Sequence, residues 1–290
     1  MTKGDDFPRD IGNSWCIKSR EYHLRKPMLM GILNVTPDSF SDGGLFQDTQ
    51  KAYDHALKMI DEGADIIDVG GESTRPGSKG VTTDEEVNRI IPLIEKLAKN
   101  TKTLISVDTQ KVEVARIALE AGASIINDIS AGEYESGMLE LVAKSKAGYV
   151  VMHMQGIPET MQNAPLYQNI ITDLKEYFSD KLKAASAMGI ELSQIVLDPG
   201  IGFGKTLHNN LDILANMREL SSLGRPLLLG ASRKSFIGMI DASAPSKRLG
   251  GSLAAVMAAY LQNIDLFRVH DVGETKQLID IFTAIQKHSV

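Results

Sequence analysis

The segment QIVLDPGIGFGKT (194–206) shows the pattern that predicts the fold of this chain. Its first part is a short aliphatic run, which is typical of a buried strand. Its second part is a loop that holds three glycines between an acidic and a basic residue. Asp-Pro favours a turn, and glycine allows close approach of the backbone to another group because it lacks a Cβ atom. The segment therefore indicates a buried strand that ends in a loop able to meet a ligand.

Similar aliphatic runs recur along the chain, and segments with helical periodicity separate them. The predicted strands are 28–33, 64–69, 103–107, 124–127, 148–154, 194–198, 226–230 and 265–269. Helices are predicted over 50–63, 84–100, 112–122, 136–148, 173–189, 210–220, 250–263 and 274–288. Continuous apolar strands that alternate with helices indicate a parallel sheet covered on both faces. Eight such units in roughly 260 residues suit a closed (β/α)8 TIM barrel of the α/β class, and the absence of a dinucleotide fingerprint argues against an open doubly wound sheet.

Composition limits the class of protein. The 290 residues carry a formal net charge of −6, which argues against a nucleic-acid binder. No apolar run reaches membrane-spanning length, and the N-terminus lacks the apolar segment of a signal peptide. The single cysteine, Cys16, excludes an internal disulfide and suits a reducing compartment. We expect a cytoplasmic protein without a nucleic-acid or membrane partner, with an N-terminal extension over residues 1–25 and one barrel domain over residues 26–290.

Polar, glycine-rich and ionisable residues follow the carboxyl ends of the predicted strands, whereas the connections at the other ends are short and plain. In a barrel the loops that follow the strands surround one pocket. We therefore expect one active site at the C-terminal ends of the strands, formed by residues far apart in sequence, namely Asn34, Asp108, Asn127, Asp198, Lys234, Arg268 and His270.

The acids and the amide of this set suggest a heterocyclic ligand. Asp108, Asn127 and Asp198 would present two carboxylates and an amide to a ring that offers both donors and acceptors, such as a 2-amino-4-oxo pyrimidine edge. Two buried carboxylates need compensation, and Lys234 is a candidate for the opposite charge.

The segments after the last two strands suggest a phosphate site. SRKSF (232–236) and RVHD (268–271) occupy the usual phosphate position of a (β/α)8 barrel. Arg268 and His270 alternate along a strand, so their side chains should point the same way. Together with Asn34 they are predicted to hold a diphosphate or triphosphate.

Some of these residues also have an ordinary structural explanation. Taken alone, Asp198 is equally consistent with an Asp-Pro turn. We expect Arg233 to form a surface ion pair and His153 to lie at the edge of the core.

Taken together, the motifs resemble those of the dihydropteroate synthase family of pterin-binding enzymes. The resemblance covers about residues 27–288 in order, through GILNVTPDSFSDGG, DVGGESTRPGS, SVDT, NDIS, MHMQG, DPGIGFGKT, GASRKSFIG and RVHDV. It implies a transferase of folate biosynthesis that condenses 6-hydroxymethyl-7,8-dihydropterin pyrophosphate with para-aminobenzoate, and releases pyrophosphate and 7,8-dihydropteroate. It also implies Mg²⁺ as the cofactor, a homodimer, and a target for sulfonamides, which in this family compete with the aminobenzoate.

The resemblance assigns roles to individual positions. The pterin would be bound by Asp108, Asn127, Met152, Asp198 and Lys234. Pyrophosphate would be bound by Asn34, Arg268 and His270, with Mg²⁺ coordinated near Asn34. The aminobenzoate would be framed by Phe40, Thr74, Pro76, Phe203, Lys234 and Ser235. The catalytic residues would be Asp108, Asp198, Lys234, Arg268 and His270.

The implied mechanism is loss of pyrophosphate to a pterin carbocation, which the aryl amine then attacks. It needs no Ser or Cys nucleophile and no strong base, and none is evident among the motifs. Three alternatives remain open from the residues. A pterin-dependent methyltransferase on the same barrel would share the Asp/Asn site but needs no pyrophosphate site. A Schiff-base aldolase would use Lys234, and a non-catalytic protein would only bind the pterin.

Overall fold

Eight parallel strands form the centre of the molecule in a computed structural model, which describes residues 13–35, 44–73, 80–156, 161 and 165–288. The strands of this sheet, in chain order after a two-stranded hairpin, are β3 (Met28–Asn34), β4 (Ile66–Gly70), β5 (Leu104–Asp108), β6 (Ile125–Asp128), β7 (Gly148–Met152), β8 (Ile195–Asp198), β9 (Leu228–Leu229) and β10 (Leu266–Val269). Their spatial order is β8-β7-β6-β5-β4-β3-β10-β9, and a parallel bridge between Leu197 and Leu227 joins the two ends. The predicted (β/α)8 barrel is confirmed.

Helices cover the outside of the barrel. Within the described residues they are α1 (Gly44–Asp61), α2 (Thr83–Asn100), α3 (Val112–Ala121), α4 (Met138–Ser145), α5 (Ile170–Ala187), α6 (Leu207–Asn216), α7 (Ser235–Asp241), α8 (Leu249–Tyr260) and α9 (Val272–Lys287). Short 3₁₀ turns lie at Leu192–Gln194, Met217–Leu223 and Pro245–Lys247. Helix α2 illustrates why these segments are helical. Thr82 and Glu85 form a capping box at its start, and the apolar stripe through Ile90, Ile94 and Leu97 is buried against the sheet.

The secondary structure near the loops after β8 and β9 differs from the sequence-based prediction in two helices. Helix α7 lies within the ASRKSFIG segment, where only a loop was expected, because seven residues are too few to show helical periodicity. The predicted helix over 210–220 starts earlier, at Leu207, and continues beyond Asn216 as a 3₁₀ turn. In its first turn the Thr206 side chain accepts a hydrogen bond from the backbone N–H of Asn209.

A β-hairpin closes the end of the barrel where the strands begin. It consists of β1 (Ser14–Ile17) and β2 (Arg20–His23), and it lies within the predicted extension. The Trp15 ring is fully buried among apolar side chains at the strand starts, and its indole N–H donates to the Gln194 carbonyl at 2.7 Å. This end of the barrel is therefore filled by packed side chains, so a ligand site is expected at the opposite end.

The strand register aligns the predicted site residues at the carboxyl end. Asn34 pairs with Gly70, Gly70 with Asp108, and Asp108 with Asn127, so neighbouring strands present them at one level. Met152 pairs with Asp198 in the same way. None of the described helices combines the length and the apolar character needed to cross a membrane.

Candidate active site

A pocket opens at the carboxyl ends of the strands. Its empty space is about 330 Å³, a volume that includes open solvent at its entrance. Its lining includes five of the seven residues expected to converge and also Met152 and Phe203, whereas Asn34 and His270 are not among the lining residues. The lining residues are Asp108, Asn127, Ile129, Met152, Asp198, Gly200, Phe203, Gly230, Lys234 and Arg268.

The floor of the pocket is an ion-pair network centred on Arg268. Its Nε donates to Oδ2 of Asp68 at 2.6 Å, and its Nη2 donates to Oδ2 of Asp108 at 2.5 Å. Asp68 also accepts from Nδ2 of Asn127 at 3.0 Å. The Arg268 guanidinium is thus held by two carboxylates, in the charge-assisted geometry that gives strong hydrogen bonds.

Asp68 is a residue of this network that was not among the predicted site residues. It lies inside the aliphatic run ADIIDV and is fully buried in β4, so it was interpreted as part of a strand interior. A carboxylate within an otherwise apolar strand is itself a signal, because a buried charge requires a partner. The partner, Arg268, is 200 positions away in the sequence.

Burial raises the pKa values of two carboxyl groups in the pocket. It raises the pKa of Asp108 to about 7, and the nearby charges act in both directions, since Arg268 lowers that pKa and Asp68 raises it. Burial also raises the pKa of Asp198, against a 2.8 Å hydrogen bond from the Gly200 N–H and the charge of Lys234. Ionised carboxylates are therefore costly in this pocket, and a ligand that donates N–H groups to them would be favoured.

The opposite side of the pocket is apolar. Phe203 and Met152 pack with Ile129 and Met161 in a small buried cluster. Nζ of Lys234 lies 4.0 Å from the centre of the Phe203 ring, a cation–π contact that places a positive charge beside the aromatic face. With polar groups on one side and apolar groups on the other, the pocket suits a flat heterocycle with a polar edge.

His270 lies just beyond β10, next to Ser232. Its backbone N–H donates to Ser232 Oγ at 3.2 Å, and its Nδ1 lies 3.0 Å from the same oxygen. Burial, together with the charges of Arg268 and Arg233, lowers the pKa of His270 to about 4. The imidazole is therefore neutral near pH 7. The expected surface ion pair of Arg233 is present, because its Nε donates to Asp271 at 3.0 Å.

The remaining predicted positions differ in what the structure describes. Asn34 ends β3, and a Cβ atom built on Gly70 would lie 3.5 Å from its Oδ1 and 3.7 Å from Oδ2 of Asp108, so both oxygens border one space. Ser235 is exposed at the start of α7. The side chains expected in the first two loops, Phe40, Thr74 and Pro76, lie outside the described residues. Among the residues that are described, no group of three or more His, Cys, Asp or Glu side chains is arranged to hold a metal ion.

Behind the Phe203 side of the pocket lies a buried lysine that the sequence analysis did not single out. Lys205 is 2% exposed, and its Nζ contacts Nδ1 of His153 at 2.9 Å, the carbonyl of His153 at 3.2 Å and that of Phe203 at 3.0 Å. His153 is buried, as expected for a histidine at the edge of the core. Burial and the Lys205 charge lower its pKa to about 3.

Comparisons with known proteins give a consistent result. A family model described as "Pterin binding enzyme" matches residues 30–270. The dihydropteroate synthase of Escherichia coli (strain K12) is 47% identical over 261 residues, which is 90% of this chain and 92% of that protein. The dihydropteroate synthase of Bacillus subtilis (strain 168) is 44% identical over 263 residues, 91% of this chain and 90% of that protein.

Solved structures agree with these relatives. The Yersinia pestis dihydropteroate synthase, solved with a sulfonamide drug complex, has a TM-score of 0.88 and 42% identity, covering 94% of this chain and 99% of that chain. The Xanthomonas albilineans dihydropteroate synthase with 4-aminobenzoic acid has a TM-score of 0.88 and 40% identity, covering 95% of this chain and 98% of that chain. These similarities support the synthase and not the methyltransferase or the aldolase.

Proposed function

This chain belongs to the dihydropteroate synthase family of pterin-binding enzymes, and we propose from this premise how its pocket carries out the family's reaction. It is a transferase that condenses 6-hydroxymethyl-7,8-dihydropterin pyrophosphate with para-aminobenzoate, and gives 7,8-dihydropteroate and pyrophosphate. The observation that carries the proposal is that Asp108, Asn127 and Asp198 meet around one pocket whose other side is apolar.

The pterin binds edge-on to the polar groups. The carboxylates of Asp108 and Asp198 accept hydrogen bonds from the ring N–H and amino groups, which lowers their raised pKa values toward the ionised state. Lys234 supplies the opposite charge at the other end of the ring. Met152 and Ile129 pack against the ring face, as their position in the pocket supports.

The pyrophosphate binds beside Arg268, His270 and Asn34. Since the His270 imidazole is neutral, it serves as a hydrogen-bond donor. Ser232 Oγ accepts from the backbone N–H of His270, so its own proton can be donated to Nδ1. The second ring nitrogen, Nε2, then carries the proton and points it toward the anion.

Mg²⁺ fits this site as an ion held largely by substrate. Asn34 offers an amide oxygen, the hard type of ligand that Mg²⁺ prefers, and pyrophosphate oxygens and waters would complete the shell. When bound, the ion would neutralise negative charge on the departing pyrophosphate.

The chemistry follows from these contacts. The bond between the pterin methylene carbon and the pyrophosphate oxygen breaks, and the electron pair leaves with pyrophosphate, whose charge Arg268 stabilises. The resulting carbocation is stabilised by the electron-rich ring and by the carboxylates of Asp108 and Asp198. The lone pair of the aryl amine then forms the C–N bond, and the amine releases a proton.

Para-aminobenzoate binds against Phe203, with Lys234 beside the ring. The cation–π geometry between these two side chains supports an aromatic ligand with a negative charge at this end of the pocket. Ser235, Phe40, Thr74 and Pro76 are proposed to complete the site from the sequence motifs.

We also propose that the protein is a cytoplasmic homodimer. Its lone thiol suits a reducing compartment. Helices α8 and α9 and the adjoining segments expose large apolar side chains that a second subunit would cover, among them Leu261, Ile281 and Ile285.

The first test is pyrophosphate release by the purified protein from the pterin pyrophosphate and Mg²⁺, with and without para-aminobenzoate. We expect release that depends on the aryl amine, together with formation of dihydropteroate. Tight binding of a bare pterin without any release would instead favour a methyltransferase or a binding protein. Covalent trapping of a carbonyl substrate on Lys234 by borohydride would favour the aldolase.

A further inference from the structure

Lys205 is a buried ionisable group that the proposed mechanism does not use. Its ammonium contacts three acceptors, none of them a carboxylate, and its side chain has almost no solvent exposure. Burial lowers its pKa to about 7, and Asp198 opposes this shift while Lys234 adds to it. Burying a charged ammonium at this position costs desolvation free energy, and the three contacts of Lys205 offset part of that cost.

Those contacts join two loops of the active-site face. His153 follows β7, and Phe203 follows β8. The loops are packed backbone to backbone, because a Cβ atom on Gly200 would lie 2.0 Å from the His153 carbonyl oxygen and one on Gly204 would lie 2.4 Å from that of Gln155. The Lys205 ammonium lies between the loops and binds a carbonyl from each of them.

The loop after β8 has further attachments on either side of Phe203. The Gly202 N–H donates to Oδ1 of Asn210 at 2.8 Å, and the Tyr167 hydroxyl donates to the Gly204 carbonyl at 2.8 Å. The backbone of Phe203 itself makes two hydrogen bonds: its N–H donates to the Gly200 carbonyl at 3.1 Å, and its carbonyl accepts from Lys205 at 3.0 Å. The bond to Gly200 stays within the loop after β8, whereas the Lys205 ammonium also binds the His153 carbonyl and so links Phe203 to the loop after β7.

We propose that Lys205 is a positioning residue for the second substrate, whose ammonium clamps the loops after β7 and β8 and so holds the Phe203 ring where para-aminobenzoate binds. This inference rests on the proposed function. The proposal predicts different effects on the binding of the two substrates. Asp198 also has Lys234 and Arg268 nearby, so it keeps these countercharges when Lys205 is replaced. The pterin side of the pocket should thus be less affected than the aminobenzoate side.

Lys205→Met tests the proposal, because methionine has a similar length without charge or donors. The measurements are the KM for para-aminobenzoate at saturating pterin pyrophosphate, and the Kd of a bare pterin. We expect the KM to rise at least tenfold and the Kd to change less than threefold. The matched control is Lys175→Met on α5, which removes a half-buried lysine paired with Glu219 and should leave both constants unchanged.

A double-mutant cycle shows whether Lys205 acts through Phe203. In a Phe203→Leu background, Lys205→Met should change the KM for para-aminobenzoate by less than twofold. A full tenfold effect in that background would overturn the proposal.

Other outcomes are equally decisive. If the wild-type protein forms no dihydropteroate, the proposed function fails regardless of Lys205. If the wild type is active and Lys205→Met keeps its KM, or weakens both substrates equally, the clamp does not exist as described. If Lys205→Met does not fold, Lys205→Gln replaces it, since its amide retains a donor. The same split between the two substrates is expected, and equal losses would again reject the proposal.

Discussion

The Nε atom of Arg268 lies 2.6 Å from Oδ2 of Asp68, although these residues belong to strands β10 and β4, which β3 separates in the barrel wall. Asp68 receives a second hydrogen bond from Asn127 at 3.0 Å. One buried carboxylate therefore orients both a group proposed to bind pyrophosphate and a group proposed to bind the pterin. Hydrogen bonds within the protein therefore fix the floor of the pocket, which reduces the cost of ordering it on binding.

Replacing Asp68 should disrupt both halves of the site. Asp68→Asn keeps the shape but removes the charge, so Arg268 is left with Asp108 as its carboxylate partner. We expect kcat/KM for the pterin pyrophosphate to fall at least tenfold, which corresponds to about 1.4 kcal/mol of transition-state stabilisation. Asp65→Asn, directly before the start of β4, is the control and should retain activity. Full activity of Asp68→Asn would remove Asp68 from the site.

Replacing Lys234 should remove a positive charge that compensates the buried carboxylates of the pocket. In Lys234→Ala the carboxyl groups of Asp108 and Asp198, whose pKa values are raised by burial, lose one of their countercharges. We expect loss of bare-pterin binding and of turnover, measured by calorimetry and by pyrophosphate release. Cys16→Ala, in the hairpin at the closed end, should behave like the wild type. Activity near the wild-type level in Lys234→Ala would contradict the site.

Ser232 should matter through His270. Ser232→Ala removes the hydroxyl that we propose selects the imidazole tautomer, so a fraction of the His270 side chains would present an unprotonated nitrogen to the anion. We expect pyrophosphate to bind about tenfold more weakly, near 1.4 kcal/mol, while the Kd of a bare pterin stays unchanged. Ser221→Ala, an exposed serine outside the pocket, controls for loss of a hydroxyl. An equal loss of both ligands would show a general structural effect instead.

His153 should make the fold sensitive to acid. Its pKa is lowered to about 3 in the folded protein, below the ordinary value of 6.5 in the unfolded chain. The unfolded state therefore binds more protons below pH 6.5, and stability is lost as the pH falls from 6.5 toward 3. Between pH 7 and pH 5 this histidine should cost about 2 kcal/mol of unfolding free energy.

Urea unfolding of the wild type and of His153→Gln at both pH values measures this contribution. Titrating groups other than Lys205, whose ammonium contacts His153, are common to the two proteins and cancel in the difference. The wild type should lose about 2 kcal/mol more than the variant. Identical pH dependence in the two proteins would mean that His153 is not buried in its neutral form.

Trp15 should stabilise the closed end of the barrel without serving the reaction. Its ring is fully buried, and a Cβ atom on Gly148 would lie 2.9 Å from it, so the packing leaves no spare volume. Trp15→Ala should lower the unfolding free energy by about 3–5 kcal/mol. The kcat of the folded fraction should remain near that of the wild type. Glu21→Ala, exposed on the same hairpin, should change neither value.

The barrel and most of the pocket could be predicted from the order of residues along the chain. Apolar runs and helical periodicity depend on residues close together in the chain, so they identified the strands and helices, with boundaries off by a few residues. Asp108, Asn127, Asp198 and Arg268 were identifiable because strand ends in a barrel share one face. The family motifs then supplied the substrates.

The pairing of these groups with one another could be seen only in the folded molecule. The role of Asp68 depends on Arg268, 200 positions away, and that of Lys205 on His153, 52 positions away. Trp15 packs at the closed end of the barrel in a cluster with side chains from every strand of the sheet, so its burial also depends on the complete fold. Such partners are set by closure and register of the sheet, which join residues without regard to their distance along the chain. A pattern of neighbouring residues therefore predicts where a strand lies, whereas a hydrogen bond across the barrel exists only once the chain has folded.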